Sequence, residues 1–458
     1  MVSSARLSVP QLREAFDGRV IAPDDSGYDA ARAVFYGGYD RRPAVIVRPL
    51  NADEVARVVS LAAETGVELA VRSGGHSVAG HSSVDGGIVL DLSYLRAIDI
   101  DVPGCTAWAE PGLTAGEYTE AVGIHGLVTG FGDTGSVGIG GITLGGGVGF
   151  LARKYGLTID DLLAADIVTA DGRLLRVDAE HYPDLFWAIR GGGGNFGVAT
   201  RFQFRLHEVP SVVGGVLMLP ATADVIESFI ALADAAPDEL STIANVMPAP
   251  PMPFVPEEFH GQLIIMAFIC YAGDTAAGER AVAQFRALAK PLADMVQPGP
   301  YTRMYLPEEE GYHPIAASRT MYVDGVDERS ATSIVEHLES SDAMMRVTQL
   351  RVLGGAVGRV PNDATAYAHR DSRIMANVAA LCQNTGEVAE RMRWVDSLAT
   401  SIQRGDTGAY VGFLGDEAPE RVRDAYPGAT WERLTAVKAK YDPTNLFRLN
   451  QNVAPAPA

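Results

Sequence analysis

Val55, Val58, Val59, Ala62 and Ala63 recur at i, i+3, i+4, i+7 and i+8, the spacing of one helix face. Asn51 and Glu54 precede that run in capping-box spacing, and Gly66 is placed to stop it. VELAVR (67–72) reads as a short strand that runs straight into SGGHS, and GGIVLDLS (86–93) as a buried strand. Thr114 and Glu117 repeat the capping-box spacing, with Gly126 closing that helix. LLAADIVTADG (162–172) predicts a strand then a turn, and ATRFQFRL (199–206) alternates cleanly between two faces. Residues 1–208 are therefore expected to form one α+β domain with glycine-rich loops.

From residue 209 the pattern changes. LIIMAFICY (263–271) and RVTQLRVLGG (346–355) predict long strands, with helical stretches near 275–290, 326–339 and 386–403. Strands backed by helices predict an antiparallel sheet with one covered face over 209–415. MPAPPMPFVP (247–256) reads as a surface loop. In TWERLTAVKAKYDPTNLFRLNQNV the pattern predicts a helix with Trp431, Leu434 and Val437 inward, broken at Asp442-Pro443. The PAPA tail is expected to fray.

Composition narrows the function classes. Lys+Arg total 37 against 57 Asp+Glu, a formal charge of −20 that repels phosphate backbones and anionic membranes, so no nucleic-acid partner is expected. The three cysteines, Cys105, Cys270 and Cys382, are far apart with no CxxC. A disulfide framework or a zinc site is therefore not expected, and a reducing compartment fits. MVSSARLSVPQLREAF lacks the apolar core of a secretory signal, and no apolar run approaches the ~18 residues of a membrane span. The expectation is a soluble, cytoplasmic protein with no membrane contact, monomeric or homodimeric.

Three glycine clusters need a reason: RSGGHSVAG (72–80), GDTGSVGIGGITLGGGVG (132–149) and RGGGGNFGV (190–198). Glycine is entropically expensive to order, and successive free N–H groups in such loops bind phosphate without lysine. There is no GxxxxGK[ST], which excludes a P-loop NTPase. Gly192, Gly194 and Gly197 fit GxGxxG, but a strand pattern follows where a dinucleotide fold needs a helix.

VRSGGHS, GGGVGFLARKYGLTIDDL (145–162), DLFWAIRGGGGNFGV (184–198) and YDPTNLFRLNQNV (441–453) together resemble the vanillyl-alcohol-oxidase/p-cresol-methylhydroxylase (PCMH-type) flavoproteins. Within that family they resemble the bacterial berberine-bridge-enzyme-like branch, and the match runs in order from about residue 40 to 453. The resemblance implies a two-lobed FAD-binding domain, with residues 416–458 returning to it after the substrate domain. It implies an oxidase passing hydride from an alcohol or amine C–H to FAD, with dioxygen as acceptor and hydrogen peroxide as product. A dehydrogenase using another acceptor and a tailoring oxidase of a secondary metabolite are the alternatives. No metal is implied.

The histidine of R-x-G-G-H, here His76, would be covalently bonded to the flavin, and a neutral imidazole nitrogen suits that chemistry. Around it the cofactor-binding candidates are Val71, Arg72, Ser73, Gly74, Gly75 and Ser77. His81 reads as a loop or pocket-rim residue. Relatives that attach FAD twice use a cysteine where this chain has Thr134, so a single histidyl link is implied. Gly135, Ser136, Val137, Gly138, Gly141, Gly145 and Val198 extend the candidate cradle, and Val137 leaves room for dioxygen. Asn450 and Asn452 match a terminal N-x-N that would meet the polar flavin edge. Tyr410 is the catalytic candidate, although Gly412 stands where relatives carry asparagine. The strand after ATAYAHRD sorts into Ser372, Ile374, Ala376 and Arg373, Met375, Asn377. Placing Ala376 toward the pocket predicts a wall without a base, hence an amine or an activated alcohol as substrate.

Overall fold

The computed structural model describes residues 8–251, 255–308 and 311–457. Its first sheet has the spatial order Val20–Ile21, Val45–Val47, Ile88–Asp91, Leu69–Arg72, with the last three strands parallel. The helix Ala52–Thr65 connects two of those parallel strands, as such a crossover requires. It lies between this sheet and the next. Val55, Val58, Val59 and Ala62 are fully buried against Val45, Leu69 and Leu90 on one side and Val168 and Val198 on the other. Each buried valine contributes about 1.5–3 kcal/mol. Ala63 is exposed, so the predicted stripe is one residue too wide. Asn51 caps the helix by accepting the Glu54 N–H at 2.9 Å. Glu54 does not return the bond; its carboxylate accepts from the Leu50 N–H and the Arg19 guanidinium. Thr114 and Glu117 do form a complete reciprocal box, on a helix that ends at Gly123, with Gly126 (φ +70°) in the turn beyond.

The second sheet is antiparallel, in the order Ile98–Asp101, Thr106–Ala109, Val198–Arg205, Leu162–Val168, Leu174–Asp178. Its central strand follows the 190–198 glycine cluster directly, with no intervening helix, as the GxGxxG argument requires.

The third sheet is antiparallel and eight-stranded. Its long strands run Val212–Pro220, Leu263–Tyr271, Leu240–Pro248, Arg346–Val352, Ile374–Cys382, Ile315–Val323. Helices Ala223–Asp234, Thr275–Arg286, Glu328–Ser340 and Val388–Ile402 cover one face, where Leu217, Ala267, Leu350, Ala376 and Val378 meet Phe229, Phe285, Ile334 and Leu398. Pairing puts Asn245 opposite Gln349 and Gln349 opposite Asn377, so a polar row crosses the other face. The fold is α+β, as predicted.

Three expectations shift locally. Met247 and Pro248 complete a strand rather than opening a loop, and 252–254 lie outside the described residues. The helix Ala429–Tyr441 buries Leu434 and Val437, but Trp431 is only half-buried, with the Arg423 guanidinium 5.2 Å from its ring centre. The tail predicted to fray is tied down, since Ala456 N–H donates to the Thr435 carbonyl at 3.1 Å. All three cysteines are free, and among the described residues no helix is long and apolar enough to cross a membrane.

Candidate active site

The three glycine clusters meet at one internal cleft, joined by segments 410–414 and 447–451. Two of the loops touch backbone to backbone. A Cβ on Gly74 would lie 2.2 Å from the Gly138 nitrogen, and a Cβ on Gly138 would lie 2.2 Å from the Gly74 nitrogen. Neither position admits a side chain unless the loops part. The third cluster is held from behind by the C-terminal segment. Asn195 donates to the Gln451 carbonyl and accepts the Val453 N–H. Buried Lys438 donates to the Asn195 and Phe447 carbonyls and to Asp442 at 2.7–2.9 Å.

Among the described cleft-lining residues Arg351 is the lone lysine or arginine, and its charge is already matched by Asp133 at 2.8 Å. An anion in the cleft would thus be met by backbone. The N–H groups of Gly74, Gly75, His76, Ser77 and Val78 donate to no described residue. Five adjacent free donors form a phosphate-sized nest.

His76 lines the cleft. Its ring stacks on Phe35 at 4.1 Å between centroids, and Nε2 lies 3.0 Å from Ser136 Oγ. Burial lowers its pKa to about 4, against the opposing pull of the Glu308 charge, so the imidazole is neutral near pH 7. His81, expected at the rim, also lines the cleft, and burial with the nearby Arg41 charge lowers its pKa to about 4.

Val71, Ser73, Gly74, Gly75, Ser77, Thr134, Val137, Gly138, Gly141, Gly145, Val198, Tyr410 and Asn450 line the same cleft. Four candidates do not. Arg72 is turned beneath the loop, paired with Asp91 at 3.0 Å and donating to the Ala31 carbonyl, so it braces the strand. Gly135 accepts the Gly116 N–H, and Ser136 faces His76 and Glu308. Asn452 is set back from the cleft, and its Oδ1 is buried without a partner.

The strand carrying Ala376 corrects an expectation. Ala376 packs into the helix-covered core, and the next residue, Asn377, joins the polar row on the opposite face. The absence of a base cannot be argued from Ala376. The side chains sequence reasoning missed are Gln349 and Arg351, whose i, i+2 spacing within RVTQLRV is itself the signal of one polar-faced strand. Gln349 donates to Asn245 and accepts twice from Arg351, and Arg351 also donates to the Val148 carbonyl.

Tyr410 is buried, and its hydroxyl accepts the Gly147 N–H at 3.0 Å. Burial raises its pKa, and the Gly147 bond only partly offsets this. At Gly412, where relatives carry asparagine, a Cβ would lie 2.7 Å from the Tyr410 ring, so a side chain there requires the ring to shift.

Comparison with known proteins matches this architecture. The FAD binding domain family matches residues 43–178, and the berberine and berberine-like family matches residues 409–454. The (R)-6-hydroxynicotine oxidase of Paenarthrobacter nicotinovorans is 31% identical over 469 aligned residues, covering 99% of each chain. This chain belongs to the berberine-bridge-enzyme-like family of FAD-linked oxidases. The solved 6-hydroxy-D-nicotine oxidase of Arthrobacter nicotinovorans superposes on this family member with a TM-score of 0.85 at 28% identity, covering 98% of this chain and 100% of that one. The xylooligosaccharide oxidase of Thermothelomyces thermophilus is 28% identical over 457 residues, covering 90% of this chain and 88% of that one. FAD fits the residues that this berberine-bridge-enzyme-like oxidase presents. The free N–H groups suit its pyrophosphate, and the unpartnered, buried Oδ1 of Asn450, which lines the cleft, is an acceptor awaiting a donor such as a flavin edge supplies.

Proposed function

We propose that the chain is an oxidase that holds FAD through a single covalent bond to His76, oxidises a C–H next to nitrogen or oxygen, and uses dioxygen as acceptor with hydrogen peroxide as product. The observation that carries this reading is a neutral imidazole lining a glycine-walled cleft. Thr134 lines the same cleft where a second, cysteinyl link would form, which supports a single bond.

In this reading residues 1–208 and 416–458 form the FAD-binding unit and 209–415 the substrate unit. Bound FAD supplies the hydride acceptor. The candidates lining the cleft hold it, with Asn450 at its polar edge. Tyr410 orients the substrate. Its hydroxyl accepts from Gly147 and donates its own proton to no described residue, so that proton is free for a substrate heteroatom. The Asp133 carboxylate is tied to Arg351, and the raised pKa of Tyr410 keeps it a phenol at neutral pH. With no free carboxylate beside Tyr410 among the described residues, an amine is favoured, because the nitrogen lone pair of its neutral form stabilises the cation left by hydride loss with no proton to be removed. The name of the hydroxynicotine relative points the same way.

Acid precipitation of the purified protein tests the covalent bond. A yellow pellet from the wild type and a colourless one from His76→Ala are expected, and a colourless wild-type pellet overturns the link. A panel of secondary amines and alcohols, read by peroxide release, tests the oxidase. Flavin reduction without peroxide would assign a different acceptor.

A further inference from the structure

We infer that Ser136 and Glu308 are positioning residues for flavin attachment: they hold His76 as the Nε2–H tautomer and take that proton as its Nδ1 forms the bond. The inference rests on the covalent reading above and adds to it the residues that make His76 a nucleophile.

Ser136 Oγ lies 3.0 Å from His76 Nε2 and 2.5 Å from Glu308 Oε2, and the Ser136 N–H donates to Glu308 Oε1 at 2.9 Å. A carboxylate only accepts, and a serine hydroxyl has a single proton. That proton goes to Glu308, so Ser136 Oγ accepts from His76, and the proton of the neutral ring sits on Nε2. The lone pair is left on Nδ1. Phe35, stacked at 4.1 Å and 20°, fixes the ring plane.

The relay draws on distant parts of the chain. Glu308 lies between Tyr301–Met304 and the sheet strand Ile315–Val323. The same segment is pinned beside Phe35, since Gly37 N–H donates to the Pro314 carbonyl at 3.0 Å and His313 Nδ1 donates to the Val34 carbonyl at 2.9 Å. The relay is therefore complete only once the substrate sheet has folded against the glycine loops, which makes attachment a late step.

The chemistry balances. The imidazole N–H and one C–H of the flavin 8-methyl group are replaced by one N–C bond. The two hydrogens, with two electrons, end on dioxygen as hydrogen peroxide. Ser136 passes the Nε2 proton to Glu308, which is exposed and exchanges it with water.

The test uses the full-length protein incubated with FAD, following the ratio of acid-stable to total flavin over time, with intact mass as a second readout. Glu308→Gln is expected to bind FAD normally but attach it ~10²-fold more slowly, the lower end of what a positioned proton acceptor supplies. Ser136→Ala should behave alike. Acetate should accelerate attachment in Glu308→Ala, where an exposed gap admits a small carboxylate. Attachment by Glu308→Gln within twofold of the wild-type rate overturns the relay. A slow Glu308→Ala that acetate does not accelerate overturns it too, because Glu308 would then act only structurally. A wild type that never retains flavin through acid removes the covalent reading itself, a result distinct from either.

Discussion

One wall of the cleft is glycine backbone, from 73–82, 132–149 and 193–198. Beyond it lies one face of the eight-stranded sheet, where Asn245, Gln349 and Asn377 stand in register and Arg351 reaches the cleft. The backbone wall offers N–H groups at fixed spacing and no choice of side chain. The sheet face offers side chains that differ freely while the strands keep their pairing. An invariant group such as a pyrophosphate suits the first, and a variable substrate the second. Substitutions behind or in the glycine wall should therefore alter flavin content and stability. Substitutions facing the substrate should alter turnover with flavin retained.

The largest effect is expected at Lys438. It is buried, holds the Asn195 and Phe447 carbonyls, and pairs with buried Asp442. Lys438→Met strands that carboxylate and should lower stability by ~3–5 kcal/mol. Thermal unfolding monitored by the rise in flavin fluorescence as the ring becomes exposed should show a lower midpoint, and Lys438→Met/Asp442→Asn should recover part of the loss. An unchanged midpoint would remove the brace from the account. Gly138→Ala comes next. Its Cβ meets the Gly74 backbone, which cannot rotate away, so a penalty of ~1–3 kcal/mol is expected together with a fall in total bound flavin. Full flavin occupancy in that variant would show that the two loops part without consequence.

The same contrast decides what could be read from the sequence. Glycine has no side chain to mislead, so the clusters at 72–80, 132–149 and 190–198 pointed to the cleft directly. The helix at Ala52–Thr65 was legible because its apolar face is sandwiched between two sheets and the spacing is strict. The sheet face was not legible. In a strand buried on both faces, alternation identifies two sets of residues but not which set faces the site, and Ala376 was assigned to the wrong one. Arg72 looked like part of the cradle because it adjoins SGGHS, yet strand alternation turns it toward Asp91. Lys438 and Glu308 act across 243 and 172 residues of chain, on Asn195 and Ser136, and such long-range partners leave no local pattern.

Tyr410 sits where the two walls meet. Tyr410→Phe removes the acceptor for the Gly147 N–H and the proton offered to substrate, so kcat should fall ~10-fold, equivalent to the ~1.4 kcal/mol of one buried hydrogen bond. Total flavin should stay unchanged. Gly412→Ala sharpens the point. Its Cβ presses on the Tyr410 ring and should lower kcat without removing the hydroxyl. A Tyr410→Phe enzyme at full rate would leave orientation to the polar row alone.

A pH-dependent effect separates the walls by titration. His81 belongs to the glycine wall, and burial, helped by the Arg41 charge, lowers its pKa from 6.5 to about 4. Between those values the unfolded chain binds a proton that the folded chain refuses. Stability therefore falls as pH drops from 6.5 toward 4, by at most ~1.4 kcal/mol per pH unit for one histidine. His81→Gln removes that linkage, so its melting temperature should decline less steeply than that of the wild type across this window and match it in slope above pH 7. His76 and His369 shift in the same direction and preserve part of the slope. Parallel curves for the two proteins across the window would mean that His81 already carries its proton in the folded cleft, and the glycine wall would then hold a cation beside the flavin site.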